Sequence, residues 1–425
     1  MKTESELLSD PRALGNELVS ADAFTDLERI QRIFALLREY GRPIWVEPDN
    51  FRPFWVVSRH EQVMKASMDN DTFISRRRLT LMNRAQEAAA FRGAERYGQV
   101  LRTLIHMDEP DHVKYRLVTQ QWFGATSIKR LAPMLEAMSR EFVGKFEAGE
   151  PAGEIDFAAD ISTWYPLRVI MSVLGVPLKD LALMHRLTKT LAAPEDPDFS
   201  TDAHTGGSMF DSIPLFTEYF LDLLAERRAD PRDDLSTVIA QGQIDGGPMG
   251  ELETVSYFIT MLVAGHDTTA AAMAGGCEAL ARRPELWARL RQNPVLIRTA
   301  SDEMIRYVTP IKHFMRTAAR DTELGGETIR AQQAIAMFYL AANFDESVFV
   351  DPYEFRIDRQ PNRQLAFGYG PHVCLGMGLS RMELASLFGE MTRRVASIRM
   401  AGEVKPIATN FLGGFKSVPL HFTLA

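Results

Sequence analysis

With 425 residues, 46% of them hydrophobic, the chain has enough apolar side chains to bury a large core and lies far from disordered composition. Its 48 basic and 56 acidic side chains leave a formal net charge of -8, a balance that repels phosphate backbones and argues against nucleic acid as a partner. Two cysteines, Cys277 and Cys374, are too few and too far apart for a disulfide framework or a C-x-x-C zinc site, and they fit a reducing compartment.

Read in chain order, the first ten residues place acidic groups where a signal peptide needs an apolar stretch. Asp26–Glu39 carries apolar residues at helical spacing and stops at Gly41-Arg42-Pro43. Phe54–Val57 reads as a short strand, with a helix from about His60. Phe73 to Met107 has no sustained period and reads as loop with short helices. Helices follow at Pro110–Trp122, Ile128–Phe146, Ile161–Leu174 and Leu178–Leu191. Ala193–Ser208, rich in Pro, Asp, Thr and Gly, reads as a flexible connection to the next helix, Met209–Arg228. A long helix is expected at Glu251–Arg282 and another at Val295–Tyr307. Beyond Pro310 the pattern turns to short strands, Ile311–Thr317 and Ile335–Tyr339. Pro352 to Gly370 is irregular, Leu375–Ser397 helical, and Glu403–Ala425 alternates like a hairpin around Gly413-Gly414.

The longest apolar run, about Tyr257–Gly265, is too short for a bilayer, so a soluble, cytoplasmic protein without stable membrane insertion is expected. No repeat, low-complexity tract or linker divides the chain. The reading is mainly α with a small β portion at roughly 44–60, 311–340 and 403–425.

The strongest chemical signal is Phe367-Gly-Tyr-Gly-Pro-His-Val-Cys374-Leu-Gly376. Alternate glycines permit a tight loop that other residues would strain. Cys374 stands just before a helix, whose free N–H groups and positive end favour a thiolate. Gly376 leaves room for a flat cofactor near the backbone. A free cysteine is more often a small buried hydrophobe, but this context favours a ligand. Next comes Ala264-Gly-His-Asp-Thr-Thr269, polar groups inside an apolar helix. Burying them is costly unless they are bonded or functional. Gly265 is expected to weaken the helix, and a threonine hydroxyl to turn onto a freed carbonyl, opening a groove. His266 reads as a polar helix residue sooner than a metal ligand. Glu303 and Arg306 lie at i and i+3 on one face. His112 and Arg116 share a helix face four residues apart.

Together these segments resemble the cytochrome P450 family. The cysteine loop matches F-G-x-G-x-H-x-C-x-G at every specified position, and the likeness runs from after Gly41 to the terminal hairpin. It is strongest to the bacterial branch that includes the terpineol hydroxylase, through Thr309–Ala318 and Ala408–Gly414. One departure is Gln364, where the family often has histidine before L-x-F-G.

The resemblance implies a single domain over 1–425, a triangular helical prism around haem b with Cys374 as the axial iron ligand. It implies that His112, Arg116, Arg316 and His372 serve the haem propionates, with Phe367 and Gly368 of the loop beside the ring. Asp267 and Thr268 become the oxygen-activating acid–alcohol pair, and Glu303, Arg306 and Arg359 a structural triad. By family analogy the substrate pocket draws on Phe91–Ile105, Leu178–Phe216, Met261–Thr269, Ile311–Phe314 and Phe411–Phe415, with Ala264, Ile311 and Phe314 as contacts. The implied activity is a monooxygenase taking dioxygen, a small hydrophobic cyclic substrate (monoterpenoid or aromatic) and electrons from an iron–sulfur ferredoxin with its NAD(P)H-dependent reductase. A fatty acid or steroid is the alternative substrate. A peroxygenase would generally lack Asp267 and Thr268, and a haem-based sensor or ligand carrier would leave them unexplained. Lys114, Arg363 and Arg381 are expected to form a basic patch for the ferredoxin.

Overall fold

The protein, described here from a computed structural model, is defined over residues 4–97, 101–147, 151–192, 196, 198 and 207–425. Helix α1 (Leu27–Tyr40) shows how local sequence sets the elements. The Asp26 carboxylate accepts from the Arg29 N–H at 3.0 Å and caps its start. Ile30, Ile33, Phe34 and Leu37 bury one face, and Gly41, at φ 82°, ends it in the left-handed region. The further helices that frame the site are α2 (Arg84–Tyr97), α3 (Asp111–Gln120), α4 (Ala132–Val143), α5 (Trp164–Leu174), α6 (Leu181–Ala192), α7 (Gly207–Ala229), α8 (Glu251–Ala281), α9 (Ile297–Val308) and α10 (Met377–Arg394).

Helix α8 runs through the centre, packing against α5, α6, α7, α9 and α10. Its composition explains the position, because a helix apolar around most of its circumference has to be covered on most sides. Near its end Gly275 and Gly276 let α9 approach: a Cβ at Gly275 would stand 2.5 Å from Val308, and one at Gly276 would collide with Met304.

The β portion includes β1 (Ile44–Val46), β2 (Phe54–Val57), β3 (Phe73–Ile74), β4 (Ala152–Asp156), β5 (His313–Ala318), β6 (Ala334–Phe338), β7 (Val395–Met400), β8 (Lys405–Pro406), β9 (Phe415–Ser417) and β10 (Pro419–Leu424). One sheet has the order β1-β2-β6-β5-β3, antiparallel except where β6 runs parallel to β2. A second has the order β7-β10-β4 and is antiparallel throughout. Among the described residues, no helix is long and apolar enough to cross a membrane.

Several boundaries differ from the sequence reading. The segment read as loop with short helices contains the fourteen-residue helix α2, longer than expected, whose sequence RAQEAAAFRGAERY is rich in helix-forming alanine but poor in large apolar residues. Pro133 opens α4 and separates it from the short helix Ala125–Lys129, so Ile128–Phe146 is not one helix. Ser208 lies inside α7. Most of the rest of the Ala193–Ser208 connection falls outside the described residues. The expected helix Leu375–Ser397 ends at Arg394, where β-branched Val395 begins β7. The hairpin around Gly413-Gly414 forms between β8 and β9, whereas β10 pairs with β7 and β4. Strands β3, β4 and β7 lie outside the expected β portion.

Candidate active site

The cysteine loop is folded by its glycines. Gly368 and Gly370 have φ 71° and 73°, and a Cβ at Gly370 would stand 2.6 Å from the Ser67 carbonyl. The Cys374 N–H donates to the Phe367 carbonyl at 2.8 Å, closing the loop on itself. Gln364, at the position where histidine was expected, accepts from the Ala366 N–H at 2.6 Å and so retains a local bond. Cys374 presents exposed surface, yet protein surrounds it closely enough that burial raises its thiol pKa. Such a combination belongs to a group lining a recess. The N–H groups of Gly376 and Met377, with the Arg116 and Arg381 guanidinium groups, act in the opposite direction and favour the thiolate. A Cβ at Gly376 would meet nothing within 4 Å, which leaves the backbone beside the sulfur open to a flat group.

Basic side chains from three elements gather around this loop. His112 of α3 stacks on His372, ring centroids 4.0 Å apart, and Arg116 donates to the Val373 carbonyl at 2.7 Å. His372 also lies 3.4 Å from the Ser75 hydroxyl. Arg316 of β5 is 4% exposed, and burial lowers its pKa, with Tyr339 and Asp108 acting against that. Burial, then Arg316, His112 and Arg116, push His372 down to about 2. The buried Nε2 of His112 has no hydrogen-bond partner. Buried cations beside an orphaned imidazole nitrogen suit an anion with several acceptor oxygens. With the open backbone at Gly376, the residues fit a planar dianionic group such as haem. His106 joins the cluster unforeseen: like Cys374 it presents surface while protein crowds around it, it bonds the Thr103 hydroxyl at 2.6 Å, and that crowding, then Arg316, lower its pKa. A lone histidine in an aperiodic loop gave the sequence reading nothing to act on.

On α8 the expected polar segment is present, but the helix does not open there. It is continuous through Gly265, where a Cβ would stand 2.9 Å from Ile170 of α5. Glycine is needed for helix packing, which corrects the expected groove. Thr268 does turn its hydroxyl onto the Ala264 carbonyl, at 2.8 Å. Ala264 is exposed within an otherwise buried helix, and Thr268 partly so. Asp267 points elsewhere. Its Oδ1 accepts from Lys189 Nζ of α6 at 2.6 Å, and its Oδ2 lies 3.5 Å from His266 Nδ1. Burial alone would raise its carboxyl pKa, but His266 and Lys189 outweigh that and hold it below the usual value. Asp267 and Thr268 are adjacent in sequence but are turned to different partners.

The triad is assembled as expected. Both carboxylate oxygens of Glu303, on α9, take Arg306 nitrogens at 2.8 Å, and Arg359 Nε lies 3.0 Å from each. Glu303 and Arg306 are fully buried, and Asn362 lies 3.4 Å from Glu303 Oε2. Ile311 pairs with Leu412 in an isolated bridge, and the Phe314 ring lies 5.6 Å from Phe411. Side chains from Phe91 to residue 97, and residues 98–100, lie outside the described set.

Two of the three cations expected to form a basic patch are already paired. Lys114 bonds Asp245 at 2.6 Å and Arg381 bonds Asp302 at 2.6 Å, while Arg381 also lies over the Phe367 ring at 5.1 Å. Arg363 is exposed. Beside them stand exposed apolar groups: Val113 and Leu117 on α3, Tyr369 in the cysteine loop, and Met68, whose sulfur lies close to Gly370.

A family model described as Cytochrome P450 matches residues 209–408. The chain is 33% identical to Cytochrome P450-terp of a Pseudomonas species over 423 residues, 98% of each protein. The chain belongs to the cytochrome P450 family. A Steroid C26-monooxygenase of Mycolicibacterium smegmatis is 34% identical over 322 residues, 75% of this chain and 79% of the relative. Among solved structures, CYP108D1 from Novosphingobium aromaticivorans superposes with a TM-score of 0.89 at 38% identity, covering 97% of this chain and 98% of that one. Mycobacterium marinum CYP268A2, solved in complex with pseudoionone, gives a TM-score of 0.84 at 28% identity, covering 92% and 94%. The chain is accordingly a cytochrome P450 monooxygenase of the P450 fold, mainly α with a small β portion. Its cofactor is haem b bound through a thiolate. Its reaction calls for a substrate, dioxygen and a redox partner.

Proposed function

We propose that this P450 hydroxylates a small, rigid, apolar ring compound, monoterpenoid or aromatic, as a cytoplasmic protein folded in one unit. The observation that carries the reading is the chemistry of the groups assigned to the substrate side, aliphatic at exposed Ala264 and partly exposed Ile311 and aromatic at partly exposed Phe314, which select by shape and offer no charge to pair. Its likeness over nearly the whole chain to Cytochrome P450-terp supports it. When bound, the haem would supply dioxygen activation, so that with two electrons from the redox partner and two protons one oxygen atom would enter a C–H bond and the other would leave as water.

Each residue then has a task. Cys374 holds the iron, with its thiolate supported by two backbone N–H groups and two guanidinium groups. His112, Arg116, Arg316 and His372 hold the propionates, and Phe367 and Gly368 shape the loop beside the ring. Thr268 keeps a hydroxyl at the exposed stretch of α8, and the Asp267 carboxylate behind it passes protons on. Ala264, Ile311 and Phe314 touch substrate. Electrons come from an iron–sulfur ferredoxin and its NAD(P)H-dependent reductase. The ferredoxin docks on the face carrying Val113, Leu117, Tyr369, Arg363 and Arg381, largely through apolar contact because Lys114 and Arg381 are already paired.

A larger lipid substrate is the second reading, favoured by relatives named steroid C26-monooxygenase and methyl-branched lipid omega-hydroxylase. A spectral screen separates them. Apolar ring compounds should shift the ferric spectrum toward high spin at lower concentration than fatty acids or steroids, while charged compounds of similar size leave it unchanged. The tightest response from a steroid or fatty acid would replace the ring-compound reading, and one from an amino acid or sugar would discard both.

A further inference from the structure

Behind α8, on the side turned to α5 and α6, lies a buried polar cluster of which only Asp267 has a task so far. His266 is fully buried. Its Nε2 lies 2.8 Å from the Thr163 carbonyl. A carbonyl can only accept, so Nε2 carries the hydrogen and Nδ1 of the neutral ring is an acceptor lone pair. That lone pair lies 3.2 Å from the Thr188 hydroxyl and 3.5 Å from Asp267 Oδ2. The other carboxylate oxygen, Oδ1, is taken by Lys189 at 2.6 Å, whereas Oδ2, although buried, has no hydrogen-bond partner. Two lone pairs thus face one another across a gap that a proton would close into a charge-assisted bond.

We propose that His266 is a proton-relaying residue that passes protons to Asp267, a role that rests on the reading of Asp267 given above. One proton passes from Nδ1 of the imidazolium to Oδ2, leaving a neutral ring and a neutral acid; no electron moves. Oδ2 receives it because Lys189 occupies Oδ1. The ring regains its proton from the α6 side, where His185 is partly exposed, stacks on Trp164 with centroids 4.5 Å apart, and lies 6.2 Å from the His266 ring. The charged and titratable groups around the ring are Asp267 on its own helix and Lys189 and His185 from α6. From α5 and its start come Thr163 and Trp164, which do not titrate. Burial lowers the His266 pKa, and burial with Lys189 brings His185 down to about 4, so both rings rest neutral and carry a proton only in passing. Nδ1 is within reach of both the Thr188 hydroxyl and the unpaired Asp267 Oδ2, and only the second contact calls for a proton on the ring.

The test uses the holoenzyme with a ferredoxin–reductase pair and the tightest-binding compound of the spectral screen. His266→Gln keeps a donor near the Nε2 position and removes Nδ1. His266→Asn does the reverse and serves as the second variant. Carbon monoxide difference spectra establish that each variant is folded and holds haem. Dioxygen consumption in H2O and D2O should be several-fold slower in His266→Gln, with a larger solvent isotope effect. The double variant with Asp267→Asn should be no slower than Asp267→Asn alone, since the two act in series. In the reduced carbon-monoxide complex, 15N spectra should show the His266 Nε2–H tautomer with a bare Nδ1. Wild-type rate and isotope effect in His266→Gln beside a slow Asp267→Asn would overturn the relay and leave Asp267 in place. Loss confined to His266→Asn, multiplicative slowing in the double variant, or an Nδ1–H tautomer would overturn it equally. An Asp267→Asn enzyme as fast as wild type would remove the reading of Asp267 and the relay with it.

Discussion

Replacing Thr268 by alanine removes one hydroxyl and leaves α8 intact, because alanine is the better helix former and the lost bond runs only to the Ala264 carbonyl. Haem content and substrate affinity should therefore hold. Proton delivery should not, and a growing share of the electrons should end in hydrogen peroxide instead of product. Product, peroxide and NAD(P)H measured together check this, and unchanged coupling would remove Thr268 from the proton path. At this scale the sequence was legible where a short run sets its own shape, as the glycines of the cysteine loop do and as Thr268 does in turning onto the Ala264 carbonyl. It was illegible where function depends on a distant partner. Nothing about Lys189 announces that it bonds a carboxylate 78 residues downstream, and His266 read as a polar helix residue because its contacts with Thr163 and Thr188 come from tertiary packing. Gly265 misled in the same way, since a glycine required by Ile170 and a glycine that loosens a helix look alike in a string of letters.

Helix α9 carries an ion pair whose worth depends on where it lies. Exposed, the i, i+3 pair of Glu303 and Arg306 would contribute about 0–1 kcal/mol. Here it is fully buried and shared with Arg359, so removing the carboxylate strands two guanidinium groups away from water. Glu303→Ala should cost roughly 3–5 kcal/mol, visible as a lowered thermal midpoint and poor haem retention. A loss under about 1 kcal/mol would mean that water reaches the arginines. The pair itself was legible from its spacing, but its burial and its link to Arg359 came from the family resemblance. Long elements rich in large apolar residues, such as α1 and α8, were placed to within a residue or two. Those poor in them, such as α2, or that change type without a breaker residue, as at Arg394-Val395, were not.

For the whole molecule, net charge says little about the redox face. The cations expected to steer a ferredoxin are mostly paired, and apolar Val113 and Leu117 stand among them. Leu117→Ser should slow reduction by a ferredoxin at every ionic strength, because the lost contact is apolar. Arg381→Glu, which also sets a like charge against Asp302, should slow it mainly at low salt, the difference fading as screening grows. Stopped-flow reduction across a salt series decides. Equal rates in both variants and wild type would move the docking site elsewhere.

The order of strands in the smaller sheet bears on how the chain is made. Its middle strand, β10, is the last of the three to be synthesised: Leu420 pairs with Ile155 on one side and Met400 on the other. At ordinary elongation rates β4 leaves the ribosome roughly tens of seconds before its partner exists. Until then its hydrogen-bonding edge has no native mate, and the Cys374 loop emerges into a half-finished protein. A chain stalled before residue 419 would hold nearly every site residue named here and still leave two strand edges open to a neighbouring nascent chain.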